Sequence, residues 1–375
     1  MTENKIGFGV LGPLQMTVDG AALPLGTPKQ RAVLAVLVMN RSRPVAIDSL
    51  ITAAWEQWPP PEARASLHSY ISNLRKLLGD SRSMLVNAPP GYRLAAGDTA
   101  CDIGRFILEK TAGVQAAAAG HFEEASHHLK TALAEWRGAV LEDLRDFQFV
   151  EGFATALTED KVVAHTALAE VEIACGRGYA VIGELESLTV EHPYREPLWA
   201  QLIIAYYLSD RQSEALDAYQ RLKTTLADDL GIDPGQTLRA LHERILRQEP
   251  LDVKRAARTT AVHSVHNIDL RTAVNASSAL ANLVSLKGEV YRLMAAATRI
   301  GRLTDNDIVL DDVNVSRHHA VIIDTGTSFV ITDLRSANGV HVGGERIRGT
   351  ATLVNGDRIR ICDHEFTFEI TPQDT

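Results

Sequence analysis

The chain has 375 residues, 45% apolar and 23% charged, with a net charge of −9. That length calls for about two or three domains, and the balance of apolar to charged residues excludes wholesale disorder. No run approaches the roughly 18 apolar residues of a membrane span, Met1–Lys5 opens no signal peptide, and three scattered cysteines (Cys101, Cys175, Cys362) make neither a disulfide framework nor a zinc site. A reducing cytoplasm is the expected location.

The charge is unevenly spread. Residues 1–100 hold 10 Lys/Arg against 7 Asp/Glu, residues 101–250 hold 14 against 25, and residues 251–375 hold 14 against 15. Only the first third offers a basic face readily, and an acidic total does not exclude nucleic acid when local charge is basic.

In chain order, Phe8–Leu25 reads as extended and folds back at Asp19-Gly20, a hairpin signal. Thr27-Pro28 reads as an N-cap and first-turn proline, introducing a helix from Lys29 to Asn40. A second helix follows Ile47-Asp48 and ends at Trp55. Pro59-Pro60-Pro61 separates it from a third, Glu62–Leu78. Two short strands, Met84–Ala88 and Tyr92–Ala95, flank Pro89-Pro90-Gly91. Strands, three helices and a terminal hairpin predict an α+β winged helix-turn-helix over residues 1–100.

Residues 101–249 are almost purely helical in pattern and rich in Ala, Leu and Glu. Gly176-Arg177 recurs as Asp210-Arg211, 34 residues later, and Ala119–Ala125 matches Ser209–Ala215 in form. A 34-residue helix-turn-helix period is the tetratricopeptide signature, so an all-α, tetratricopeptide-like domain is expected. Residues 250–285, with Lys254-Arg255-Ala256-Ala257-Arg258 and a Thr/Ala/Ser/Asn-rich stretch, read as a mobile linker, helical at most in patches. From residue 286 to 375 short alternating strands with glycine turns predict an all-β sandwich.

The third helix concentrates the candidate chemistry of the first domain. Leu67, Tyr70, Ile71, Leu74, Leu77 and Leu78 form one apolar stripe. The opposite face carries His68, Ser69, Ser72, Arg75 and Lys76, with Arg64 and Asn73 at its margins. Taken alone such a face is an ordinary solvated surface. The hairpin behind it, Pro89-Pro90-Gly91-Tyr92-Arg93, turns the reading to a recognition helix plus wing, with Arg93 among the DNA-binding residues and Tyr92 anchoring the wing.

These residues carry a resemblance. Leu11-Gly12-Pro13-Leu14, Thr27-Pro28-Lys29-Gln30-Arg31, Leu74-Arg75-Lys76-Leu77-Leu78 and Pro90-Gly91-Tyr92-Arg93-Leu94 resemble the winged-helix domain of SARP-type bacterial transcriptional activators. Trp136-Arg137-Gly138, His192-Pro193-Tyr194-Arg195-Glu196 and Leu230–Gly235 resemble landmarks of the bacterial transcriptional activation domain that follows it in that family. Gly301-Arg302, Ser316-Arg317-His318-His319 and Ser336-Ala337-Asn338-Gly339 resemble a forkhead-associated (FHA) domain, a sandwich that binds phosphothreonine.

The resemblance implies that Arg302 and Ser316 hold the phosphate and Arg317 adds charge at the rim. Asn338 would grip the ligand main chain, Ser336 would belong to the same binding set, and Gly301 and His319 would shape the loops. One departure is Ala337, where the family usually has a hydroxyl residue before Asn-Gly. The implied partners are promoter DNA, a phosphothreonine protein, foremost a Ser/Thr protein kinase, and RNA polymerase; no membrane is implied.

Enzyme readings find little support, since the chain lacks a Gly-x-x-x-x-Gly-Lys loop, a Gly-x-Ser-x-Gly elbow and His-Glu-x-x-His. His127-His128 point about 100° apart on a helix and do not share a metal, so neither metal nor cofactor is expected. The function predicted is a phosphorylation-responsive activator. The alternative is a kinase-tethered adaptor whose winged helix has lost DNA binding.

Overall fold

In a computed structural model of the chain the described residues are 6–56, 58–275, 280–293, 297–304, 306–324, 329–347 and 349–371. Two compact units emerge. One draws on residues up to 108, 134–160 and from 267 onward; the other comprises 109–133 and 161–266.

The first unit opens with β1 (Ile6–Gly9), β2 (Gln15–Val18) and β3 (Ala21–Ala22), an antiparallel sheet turning at Asp19-Gly20 as expected. The Thr27 hydroxyl accepts the Gln30 backbone N–H at 3.3 Å and caps α1 (Pro28–Met39). Next come β4 (Val45–Ala46), α2 (Ile47–Trp55), α3 (Ala63–Leu77), β5 (Leu85–Ala88) and β6 (Gly91–Leu94), with sheet order β4-β6-β5. Leu67, Ile71 and Leu74 are the fully buried part of the α3 stripe, and Trp55 stacks on Tyr70 at 5.8 Å. This is the winged helix-turn-helix that the sequence predicts.

The expected boundary at residue 100 is no break in packing. Asp102, only 2% exposed, accepts the backbone N–H groups of Val10 and Leu11 at 2.9 Å and an Arg137 N–H at 3.1 Å. Its carboxylate satisfies donors that a buried loop would otherwise orphan. It thereby ties the first turn of α4 (Asp102–Ala119) to the N-terminal sheet.

The remaining helices are α5 (Phe122–Ala134), α6 (Gln148–Ala174), α7 (Ile182–Glu191), α8 (Glu196–Leu208), α9 (Gln212–Leu230), α10 (Gln236–Leu246) and α11 (Val253–Asn275). In the second unit three turns repeat one geometry. Gly120, Gly176 and Asp210 all have left-handed φ, and the next residue donates to a carbonyl five back: His121 to Ala116, Arg177 to Glu172, Arg211 to Tyr206. That is a helix C-cap repeated before α5, α7 and α9. Leu198, Leu202, Ala205, Ala215 and Leu222 fill the core between α8 and α9.

Residues 250–285 differ from the expected linker. Asp252 accepts the Arg255 N–H at 3.1 Å and starts α11, and Val253–Asn275 contains neither Gly nor Pro to stop the helix.

The C-terminal part begins inside that segment, at β7 (Leu280–Ser285). It continues with β8 (Val290–Leu293), β9 (Ala297–Gly301), β10 (Ile308–Val309), β11 (Ala320–Asp324), β12 (Phe329–Asp333), β13 (Val340–Val342), β14 (Glu345–Arg346), β15 (Thr350–Leu353), β16 (Arg358–Ile361) and β17 (His364–Thr371). Two sheets, β10-β9-β11-β12-β15 and β14-β13-β16-β17-β7-β8, face each other. Because β7 pairs along β17 from Leu280 to Ser285, the sandwich includes residues that the predicted boundary at 286 leaves out. Residues Ala320–Ile323 are buried on both faces of β11. A Cβ on Gly152 of α6 would lie 3.0 Å from Ile323 Cδ1, and Arg43 pairs with Asp324 at 3.0 Å. The outer face of this sheet is therefore covered.

Candidate functional site

The three C-terminal motifs converge at one end of the sandwich. The β9–β10 loop docks on the loop before β11: the Arg302 N–H donates to Ser316 O at 3.0 Å and the Leu303 N–H to Arg317 O at 3.3 Å. A Cβ at position 301 would lie 2.3 Å from the Arg317 carbonyl oxygen, so only glycine permits the approach.

His319 is fully buried and staples two loops. Its Nδ1 accepts the Ser316 N–H at 3.0 Å, and Nε2 lies 3.1 Å from Gly339 O, which fixes the Nε2–H tautomer. Its role, like that of Gly301, is to shape the loops. Asn306, buried five residues after Gly301, donates to Leu303 O and Arg317 O, both at 2.8 Å. Sequence reasoning missed Asn306, although an asparagine amide close behind Gly-Arg was a readable signal for a loop clasp.

This scaffold leaves Arg302, Arg317 and Asn338 exposed. Among the described residues neither guanidinium has a hydrogen-bond or ionic partner. The Ser316 hydroxyl accepts the Ala337 N–H at 3.1 Å, so its own O–H stays free to donate. One Asn338 N–H is spent on Asn314 O at 2.8 Å, and its Oδ1 can act as an acceptor. Ser336 departs from its expected place. It is buried, and its hydroxyl accepts the Gly339 N–H at 2.9 Å, so it closes the turn that presents Asn338. Nearby, burial pushes the Cys362 thiol above its ordinary range, and its S–H donates to Asn314 O at 3.1 Å.

The α3 face is likewise sorted by the structure. His68, Ser69, Ser72, Asn73, Lys76 and Arg93 are exposed. Arg64 is exposed but paired with Asp48 at 2.9 Å, and Asn73 donates to Gln30 Oε1 at 3.3 Å. Arg75 does not face outward as expected. Its Nε donates to Leu85 O at 2.9 Å and an Nη to Asn87 Oδ1 at 2.8 Å, with the guanidinium 5.8 Å from the Tyr92 ring centre. The reason is geometric: the wing strand β5 lies within reach of that side chain, so Arg75 fastens wing to helix. Tyr92 is buried beneath it.

Among the described residues no cluster of His, Cys, Asp and Glu is arranged to hold a metal, and no helix is long and apolar enough to cross a membrane.

Comparison with known proteins agrees segment by segment. Residues 22–94 match the C-terminal domain of transcriptional regulatory proteins, residues 101–246 the bacterial transcriptional activator domain, and residues 298–362 the FHA domain. The transcriptional regulatory protein EmbR of Mycobacterium tuberculosis is 70% identical over 374 residues, covering 98% of this chain and 96% of EmbR. The chain belongs to the EmbR family of transcriptional regulators. The regulatory protein DnrI of Streptomyces peucetius, a SARP relative, is 30% identical over 252 residues, 65% of this chain and 93% of DnrI. Mycobacterium tuberculosis EmbR, solved in complex with a low-affinity phosphopeptide, superimposes over 100% of both chains with a TM-score of 0.97 at 69% identity.

Proposed function

We propose that this transcriptional regulator reads promoter DNA with α3 and its wing and captures a phosphothreonine segment at the end of the sandwich. A single observation carries the second half: two exposed guanidinium groups that lack a partner among the described residues, a hydroxyl donor and an exposed amide are held together by loops stapled through His319. A phosphate of about −1.5 to −2 charge suits that set, since a guanidinium meets two of its oxygens at once. Arg302 and Ser316 take the phosphate, Arg317 adds charge at its rim, and Asn338 Oδ1 accepts a peptide N–H. The solved EmbR complex with a phosphopeptide supports this reading.

On the DNA side His68, Ser69, Ser72, Asn73 and Lys76 face the groove, and Arg93 on the wing meets the backbone. The phosphothreonine partner we infer is a cytoplasmic Ser/Thr protein kinase, and the acidic helical unit offers a surface to RNA polymerase. The test is promoter binding by the full chain with and without a phosphothreonine peptide. A shift in promoter affinity that the unphosphorylated peptide does not produce supports the link; identical binding in both arms refutes it.

A further inference from the structure

We propose that the first unit contains a binding site for a small, uncharged, largely apolar molecule, lodged among the winged helix, the start of α6 and the outer face of the FHA sheet. The cavity there measures about 560 Å³, within the range of small-molecule pockets. Its apolar lining includes Val36 and Ala53 of the winged helix, Phe149 and Phe153 of α6, and Val321 and Ile323 of β11. A recess of this size lined mainly by apolar side chains is the kind of space that holds a small ligand.

The wall chemistry defines the occupant. None of the lining residues is among the described buried side chains left without a hydrogen-bond partner, so the wall does not call for a strongly polar ligand. The charged groups at its margin are Arg299, Asp307 and Glu56. Arg299 is already committed, with its N–H at 2.8 Å and its Nε at 3.3 Å from Asp307 Oδ2. Glu56 accepts the Gln148 N–H at 2.9 Å. Among the described lining residues the one Lys or Arg, Arg299, already faces the Asp307 carboxylate, which disfavours nucleotides and phosphorylated metabolites. An aromatic or branched aliphatic body of about 15–25 non-hydrogen atoms, with at most one neutral polar end, suits the space.

Its position gives the site a consequence. His318 lines the cavity and belongs to the loop that carries Ser316 and Arg317, and Pro89 and Pro90 of the wing turn line it as well. An occupant touches both the phosphopeptide loop and the DNA-binding wing, and so adds a chemical input to the regulator. The cavity stands whether or not a phosphopeptide binds nearby.

The experiment is a fluorescence titration of the full chain with N-phenyl-1-naphthylamine, a neutral apolar probe. We expect a saturable rise at one probe per chain, weakened at least tenfold in both Ala53→Phe and Ala297→Phe, which add bulk to the cavity from different elements. Circular dichroism and thermal melts establish that each variant is folded, and if one fails, the other decides. A signal that does not saturate, or that persists undiminished in a folded filled variant, overturns the site. Equal affinity for the anionic probe 8-anilinonaphthalene-1-sulfonate overturns the ligand class. Phosphopeptide binding is measured separately, so loss of that property leaves this test intact.

Discussion

Replacing Arg75 by Ala distinguishes a side chain that touches DNA from one that holds the wing. In the structure Arg75 gives two hydrogen bonds, at 2.9 Å to Leu85 O and 2.8 Å to Asn87 Oδ1, and its guanidinium lies over Tyr92. Loss of these half-buried contacts should cost roughly 1–2 kcal/mol, lowering the thermal midpoint of the first unit by a few degrees. Promoter affinity should fall as the wing loosens, but the slope of log affinity against log salt should change little, because this cation is already committed. Lys76→Ala and Arg93→Ala should behave oppositely, each reducing the slope by about one unit with an unchanged melt. Paired calorimetry and fluorescence-anisotropy titrations from low to moderate salt read both quantities. A unit loss of slope for Arg75→Ala with no change in melting would refute the argument.

Burial pushes Glu170 up from 4.5 to about 8, so it is neutral in the folded chain where the unfolded chain has already lost the proton. Stability should therefore fall as pH rises from 4.5 to 8, and Glu170→Gln should melt higher than wild type at pH 8 but not at pH 4. Glu172 works in the opposite sense. Burial would raise it, but hydrogen bonds from Arg177, Ser126 and Lys130 hold it at about 2. Its contribution should be complete above pH 4.5 and lost as pH falls toward 2, so Glu172→Gln should flatten the acid limb of a melting-temperature profile and lower the midpoint at pH 7. His319→Ala removes both loop staples and should weaken phosphopeptide binding while lowering the sandwich's melting point. Unaltered affinity by isothermal titration would show that the loops hold their shape without it.

Local signals were legible wherever the chemistry is local. Thr27-Pro28 caps α1, Asp19-Gly20 turns a hairpin, and the glycine-rich turns of the last segment fall between its strands. Order and spacing of Gly301-Arg302, Ser316–His319 and Asn338-Gly339 sufficed to name the loops that meet. Helical spacing also identified the polar face of α3, but it does not say what else lies over that face. Spacing alone places Arg75 on the DNA face, because the reach of the wing is a tertiary fact. Ser336 failed for a similar reason: a hydroxyl in a binding loop can serve the ligand or the turn, and only the Gly339 N–H decides. The segment 250–285 misled through composition. Its Thr, Ser and Asn content suggested a linker, yet an Asp252 cap with no breaker for the following 23 residues gives a helix, and Leu280–Ser285 becomes a strand by pairing with the distant β17. Likewise nothing near residue 102 announces that its carboxylate holds the N-terminal loop.

Binding of a phosphothreonine peptide by the full chain tests the site most directly, in one calorimetric titration. Wild type and Arg302→Ala are each titrated with the phosphorylated peptide and its unmodified counterpart. Loss of one charge-assisted contact worth about 1.5–3 kcal/mol should weaken the phosphorylated peptide roughly ten- to a hundredfold. The unmodified peptide should bind neither protein measurably. An Arg302→Ala chain that binds the phosphopeptide as tightly as wild type would place the phosphate elsewhere and contradict the site.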